Sequence, residues 1–207
     1  MIPLRPLRRL ALPFVLPFVL SIALALPASA AQALQIHGVA VPPTARVGTH
    51  PLVLNGVGTR YFLVFKVYVA ELYLPQRANQ ASAAMTMPGP KLLRLVMLRD
   101  VSGDELGTKL THDIQANVST AEFNSMIDGL ARMGQLFAQH KEMRSGDVIE
   151  LADVPGQGMT VTINGQTTGA PFAEPGFFDN MLQVWLGDHP AAQRLKLALL
   201  GDAKSSD

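Results

Sequence analysis

The 207-residue chain has no cysteine, one tryptophan and three tyrosines, and only 16% of its residues carry charge. Without cysteine there is no disulfide framework, no thiolate nucleophile and no thiolate metal site, so the fold must be held by the size of its core. The five histidines (His37, His50, His112, His140 and His189) are scattered. None forms His-x-His or HExxH, and no acidic residue stands at ligand spacing, so no metal motif is present. Gly56-Val57-Gly58 lacks the third glycine of a dinucleotide loop and leads into a strand pattern rather than a helix. There is no Walker loop and no Gly-x-Ser-x-Gly elbow. The composition and motifs therefore imply no cofactor and no metal.

What is present begins with the first thirty residues. Arg5, Arg8 and Arg9 precede an apolar run, Leu10 to Leu26, that ends in Ala28-Ser29-Ala30. A basic n-region, an apolar h-region and an Ala-x-Ala exit describe a cleaved secretory signal over 1–30. Pro13 and Pro17 interrupt the run and argue against a retained membrane span. A second Ala-x-Ala, Ala31-Gln32-Ala33, sets the expected mature N-terminus at Ala31 or Leu34. With the three arginines removed, the formal charge moves from +1 to −2. That near-balance leaves no broad electrostatic footprint for nucleic acid. A bacterial periplasm is the expected location, with residues 31–207 as one domain and no transmembrane segment after cleavage.

Residues 34–58 read as short strands broken by Pro42-Pro43, Pro51 and a Gly56-Val57-Gly58 turn. Tyr61 to Leu74 is the strongest strand pattern, long enough for two strands or one bent one, and Pro75 closes it. Asn79 to Met87 is at most a short helix, and Leu92 to Leu98 returns to strand. Ser102 with Glu105, and Ser119 with Glu122, are capping-box spacings that open two helices. On the second, Phe123, Met126, Ile127, Leu130 and Phe137 trace one face. Gly146–Val154 and Met159–Ile163 are strands, and Asn164-Gly165 is a hairpin turn. Ala173–Leu186 and Pro190–Leu200 close the chain as helices, with Gly201 as a cap. This order implies an α+β fold, an antiparallel β-sheet covered on one face by a layer of helices, as an open-faced sandwich.

Arg60 and Tyr68 stand eight residues apart, an even spacing that on a regular strand puts both on one face. Together they could hold a carboxylate, the arginine by charge-assisted bonds and the phenol as a donor. Lys66 shares that parity, which requires a bulge or a partly wet face. Around them, Gly56-x-Gly58-x-Arg60 and Phe65-Lys66-Val67-Tyr68-Val69-Ala70-x-Leu72-Tyr73-Leu74-Pro75 resemble the bacterial, exported chalcone-isomerase-like proteins. So do Phe123-Asn124, Gly146-Asp147, Val161-x-Ile163-Asn164-Gly165 and Leu182-x-x-Trp185-Leu186-Gly187. The resemblance spans roughly residues 34–201 and implies an antiparallel sheet under helices with a ligand cleft between them.

It also implies a cofactor-free site. The enzyme's arginine falls on Arg60, its threonine on Tyr68, its tyrosine on Leu106 and its asparagine on Asp113. Its Thr-Met pair falls on Val184-Trp185. Most of the hydroxyl donors that would stabilise a cyclising phenolate are thus replaced, whereas an arginine–tyrosine pair is similar to the fatty-acid-binding branch. The first reading is therefore a non-catalytic binder of a fatty acid or similar amphipathic carboxylate. The alternatives are an intramolecular lyase or isomerase acting on a chalcone-like phenolic substrate, and an accessory envelope protein without a dedicated ligand. Arg60, Tyr68, Leu106, Asp113, Val184 and Trp185 are the expected ligand-binding residues, with Arg60 the one catalytic candidate. Asp113 is the candidate to neutralise Arg60 when the cleft is empty, the alternative being that its face of the helix is only partly buried and it meets water.

Overall fold

A computed structural model describes residues 34–205. The expected signal segment over 1–30 and its cleavage sites lie outside the described residues. The strands are β1 (Leu34–Ile36), β2 (Val39–Val41), β3 (Thr44–Val47), β4 (His50–Phe62), β5 (Phe65–Leu74), β6 (Lys91–Met97), β7 (Val101–Ser102), β8 (Glu142–Met143), β9 (Val148–Val154), β10 (Gly158–Ile163) and β11 (Gln166–Phe172). The helices are α1 (Ala81–Thr86), α2 (Gly103–Gln115), α3 (Thr120–Gln139), α4 (Phe177–Leu186) and α5 (Gln193–Leu199). Seven strands form one sheet in the order β11-β10-β9-β6-β5-β4-β3, and each neighbouring pair is antiparallel.

Alternation along β5 and β6 separates the two faces. Tyr68, Ala70, Leu72, Leu74, Leu93, Leu95 and Met97 point to the main core, where α2, α3 and α4 supply Ile114, Met126, Met133, Phe177 and Met181. The α+β architecture is as expected. The opposite face is partly covered as well: the β1–β2 hairpin packs Ile36 and Val41 against Val57 and Val69. On this face Glu71, Arg94 and Glu150 stand side by side across β5, β6 and β9. Glu71 is fully buried, 2.6 Å from the Arg94 guanidinium, and accepts a 2.6 Å hydrogen bond from the Tyr73 hydroxyl. Desolvation nevertheless raises its pKa above the ordinary carboxylate value.

Several local expectations need correction. Gly56-Val57-Gly58 is not a turn but the middle of β4. Its glycines admit α5: a Cβ on Gly56 would lie 2.1 Å from the Ala198 carbonyl oxygen, and one on Gly58 would lie 2.6 Å from the Ala198 Cβ. Of the two readings of Tyr61–Leu74, two strands is the one observed: a hairpin turn at Leu63-Val64 lets Tyr61 and Phe62 end β4, and β5 starts at Phe65. The helix expected from Ala173 starts at Phe177, because β11 runs to Phe172 and Gly176 caps the helix in a left-handed conformation. Ile127 is exposed rather than part of the buried face of α3.

Both serine caps form, the first as a single bond and the second as the full box. Ser102 accepts from the Glu105 N–H, and Ser119 with Glu122 forms the full reciprocal box. Asn164 and Gly165 both have positive φ at the β10–β11 turn, as a two-residue hairpin demands.

Candidate functional site

Between the helix-covered face of the sheet, α2 and α4 lies a cavity of about 220 Å³. Its floor is sheet: Arg60 from β4, Val67 and Tyr68 from β5, Leu95 from β6 and Leu151 from β9. Its walls are Leu106 and Asp113 from α2 and Val184 and Trp185 from α4. All six residues singled out from the sequence therefore border one cavity. Leu110, Val101 and Ala191 extend its apolar lining, and Phe62, Arg99, Asp100, Glu105 and Lys109 stand on the same lining.

Arg60 and Tyr68 share a face for a different reason from the one their spacing suggests. They are direct cross-strand partners, Arg60 on β4 and Tyr68 on β5. The register shifts immediately beyond them, where Tyr61 pairs with Lys66, and Val67 is the extra residue of this bulge. The bulge turns Val67 toward the cavity and leaves Lys66 exposed, its Nζ 3.0 Å from Nδ1 of His37. This resolves the parity conflict that Lys66 posed.

Tyr68 is buried, and its oxygen accepts a 3.0 Å hydrogen bond from Nε1–H of Trp185. An indole nitrogen only donates, so the phenol's own proton remains available, with no acceptor among the described residues. Burial pushes the Tyr68 pKa up to about 12, against smaller opposing effects of the Trp185 hydrogen bond and the Arg60 charge. Tyr68 is thus a neutral donor and not a phenolate base. Half-buried Arg60 donates to the Tyr61 carbonyl oxygen and forms no salt bridge with a carboxylate among the described residues.

The expected Arg60–Asp113 pair is not formed. Asp113 is buried but is met by Lys109, one turn earlier on α2, and its Oδ1 lies 3.3 Å from Nδ1 of His112. An i,i+4 lysine reaches the carboxylate along its own helix, with no need to span the cavity. That spacing was visible in the sequence. The wall is held in place by Asn117, whose amide donates to the Asp113 and His189 carbonyl oxygens and whose Oδ1 accepts from the His189 N–H, each at 2.8 Å. These bonds tie the end of α2 to the segment after α4, joining the two cavity walls that carry Asp113 and Trp185.

A seven-stranded antiparallel sheet roofed by helices, with an arginine–tyrosine pair on the floor of the cavity between them, defines the class. The profile of the chalcone isomerase-like family matches residues 33–201, and the chain belongs to that family. Among solved structures it is similar to the crystal structure of a fatty-acid binding protein from Arabidopsis thaliana, with a TM-score of 0.66 and 18% sequence identity. The match covers 84% of this chain and 98% of that one, which establishes a shared fold. No curated protein matches.

Proposed function

We propose that this protein binds a fatty acid or a similar amphipathic carboxylate in the Arg60–Tyr68 cavity, without catalysis, after export to a periplasm. The observation that carries this reading is a half-buried arginine that forms no salt bridge among the described residues, beside a neutral phenol with a proton to give, on the floor of a largely apolar cavity. A carboxylate would take charge-assisted hydrogen bonds from both, and the chain's apolar tail would meet Leu95, Leu106, Leu110 and Leu151. The fold shared with a protein described as fatty-acid binding supports the same ligand class.

The lyase alternative has less support. Leu106 and Val184 bring no hydroxyl to the cavity, and Tyr68, titrating near 12, supplies no base. Turnover of a chalcone at a rate comparable to a plant isomerase would overturn the non-catalytic reading.

The main test is titration of a fluorescent fatty acid into the wild-type protein and Arg60→Ala. Hydrogen bonds to charged groups contribute about 1.5–3 kcal/mol, so Arg60→Ala should weaken binding by about ten- to a hundredfold. Unchanged affinity would defeat the carboxylate reading. Export is tested by sequencing the N-terminus of the protein from its host, which should begin at Ala31 or Leu34, whereas an intact Met1 would exclude cleavage.

A further inference from the structure

The turn that joins β4 to β5 carries four consecutive apolar residues into solvent. Phe62 and Phe65 are each 54% exposed, and Leu63 and Val64 each 81%. Single exposed apolar side chains are ordinary, but a contiguous set at a protruding tip marks an interaction site. Leu63 strengthens the point. Its φ is +54°, a left-handed value that a hairpin turn normally gives to glycine or asparagine. A large apolar side chain is therefore held at the tip against the local backbone preference.

The surroundings of the tip are cationic. Lys66 follows it directly, Arg99 lies over the Phe65 ring at 5.3 Å, and Arg60 stands two residues before Phe62. No carboxylate precedes Glu71 anywhere in the chain. Two carboxylates are near: Asp100, which accepts from the Ser145 N–H, and Glu105, which shares the cavity lining with Phe62 and Arg99, so the three cations still exceed the anions by one.

We infer that this tip docks on the surface of an anionic lipid bilayer, with Phe62 to Phe65 in the acyl boundary and Lys66 and Arg99 among the headgroups. Aromatic and aliphatic side chains flanked by cations are the chemistry of interfacial anchoring. A second copy of the chain fits poorly, because a two-fold tip-to-tip contact would set Lys66 and Arg99 against their own counterparts. Phe62 and Arg99 also line the cavity, so docking would bring that cavity to the bilayer. Use of this arrangement for ligand exchange rests on the function proposed above, whereas the docking itself does not.

The chain's lack of cysteine allows a site-specific test. A nitroxide on Val64→Cys should lose access to a water-soluble nickel chelate and gain access to oxygen on phosphatidylglycerol-containing vesicles. A nitroxide on Thr167→Cys, exposed on β11, should remain in water. Leu63→Asn combined with Val64→Asn should lower vesicle partitioning at least tenfold. Lys66→Gln should lower it roughly fivefold on anionic vesicles and leave zwitterionic vesicles unaffected. Circular dichroism verifies that each variant is folded. A Val64 label that stays in water, or dipolar broadening between labels without lipid, would overturn the proposal, the latter in favour of self-association. The Asn variants should retain their affinity for a fluorescent fatty acid in vesicle-free solution, so failure of docking and failure of the carboxylate reading give different results.

Discussion

Tyr68 has two roles in the proposed site: its oxygen satisfies the indole of Trp185, and its own proton would go to the ligand carboxylate. Tyr68→Phe removes both. It should weaken carboxylate binding by about tenfold and, by stranding a buried indole N–H, destabilise the fold by about 1–3 kcal/mol. Fluorescent fatty-acid titration and urea unfolding would measure the two losses separately. Because the folded-state pKa is raised, the stability contributed by the neutral phenol is intact below the ordinary tyrosine range and is lost as pH rises through about 12. The tyrosinate absorbance of Tyr68 should therefore develop only near that value. From the sequence, an arginine and a tyrosine on one face were legible, but their direct pairing across a hairpin was not. Even spacing along one strand and cross-strand pairing predict the same shared face, and only register separates them. The Lys109–Asp113 pair is written in the sequence as an i,i+4 spacing, and this local partner wins over the tertiary one because it need not cross the cavity.

At the scale of elements, β4 and α5 touch through missing side chains. Gly56→Ala places a methyl carbon inside the contact distance of the Ala198 carbonyl, so α5 must shift. Overpacking of this kind should lower stability by about 1–3 kcal/mol, measured by chemical denaturation. Glycines broken by a single valine carry the same sequence signal in a turn as in a strand crossed by a helix, so the sequence alone does not separate the two. Across β5, β6 and β9, the raised pKa of Glu71 has a defined sign. Its contribution to stability is full below the ordinary glutamate value and declines as pH rises through the raised folded value. Glu71→Gln should therefore flatten the fall in stability on the alkaline side of the carboxylate range, as read from urea midpoints across pH. A slope identical to wild type would show that Glu71 is not the titrating group.

For the whole molecule, strand and helix order were legible because caps, the Asn164-Gly165 turn and period-two runs each act locally. Much of the resemblance rests on residues that build the frame rather than the site. Asn164 accepts from the Val148 N–H and donates to Asp147, which in turn accepts from the Arg144 N–H. Such positions report the fold faithfully and say little about the ligand. Cavity size adds what the sequence could not. At about 220 Å³ the cavity lies below the roughly 300–1,000 Å³ usual for ligand pockets. Octanoate and decanoate should therefore bind more tightly than palmitate, whose tail would have to displace wall side chains or protrude. Competition against a fluorescent fatty acid would rank them, and a clear preference for palmitate would show that the walls open.

The indole that holds Tyr68 is also the chain's single tryptophan, and it sits in the cavity wall. Its emission originates from one known place, hydrogen-bonded to the phenol and on the same cavity lining as Arg60. A guest that settles there changes the polarity around one fluorophore and none other. The protein thus carries an intrinsic optical gauge of its own occupancy, so a candidate ligand can be screened by tryptophan emission without labelling either partner.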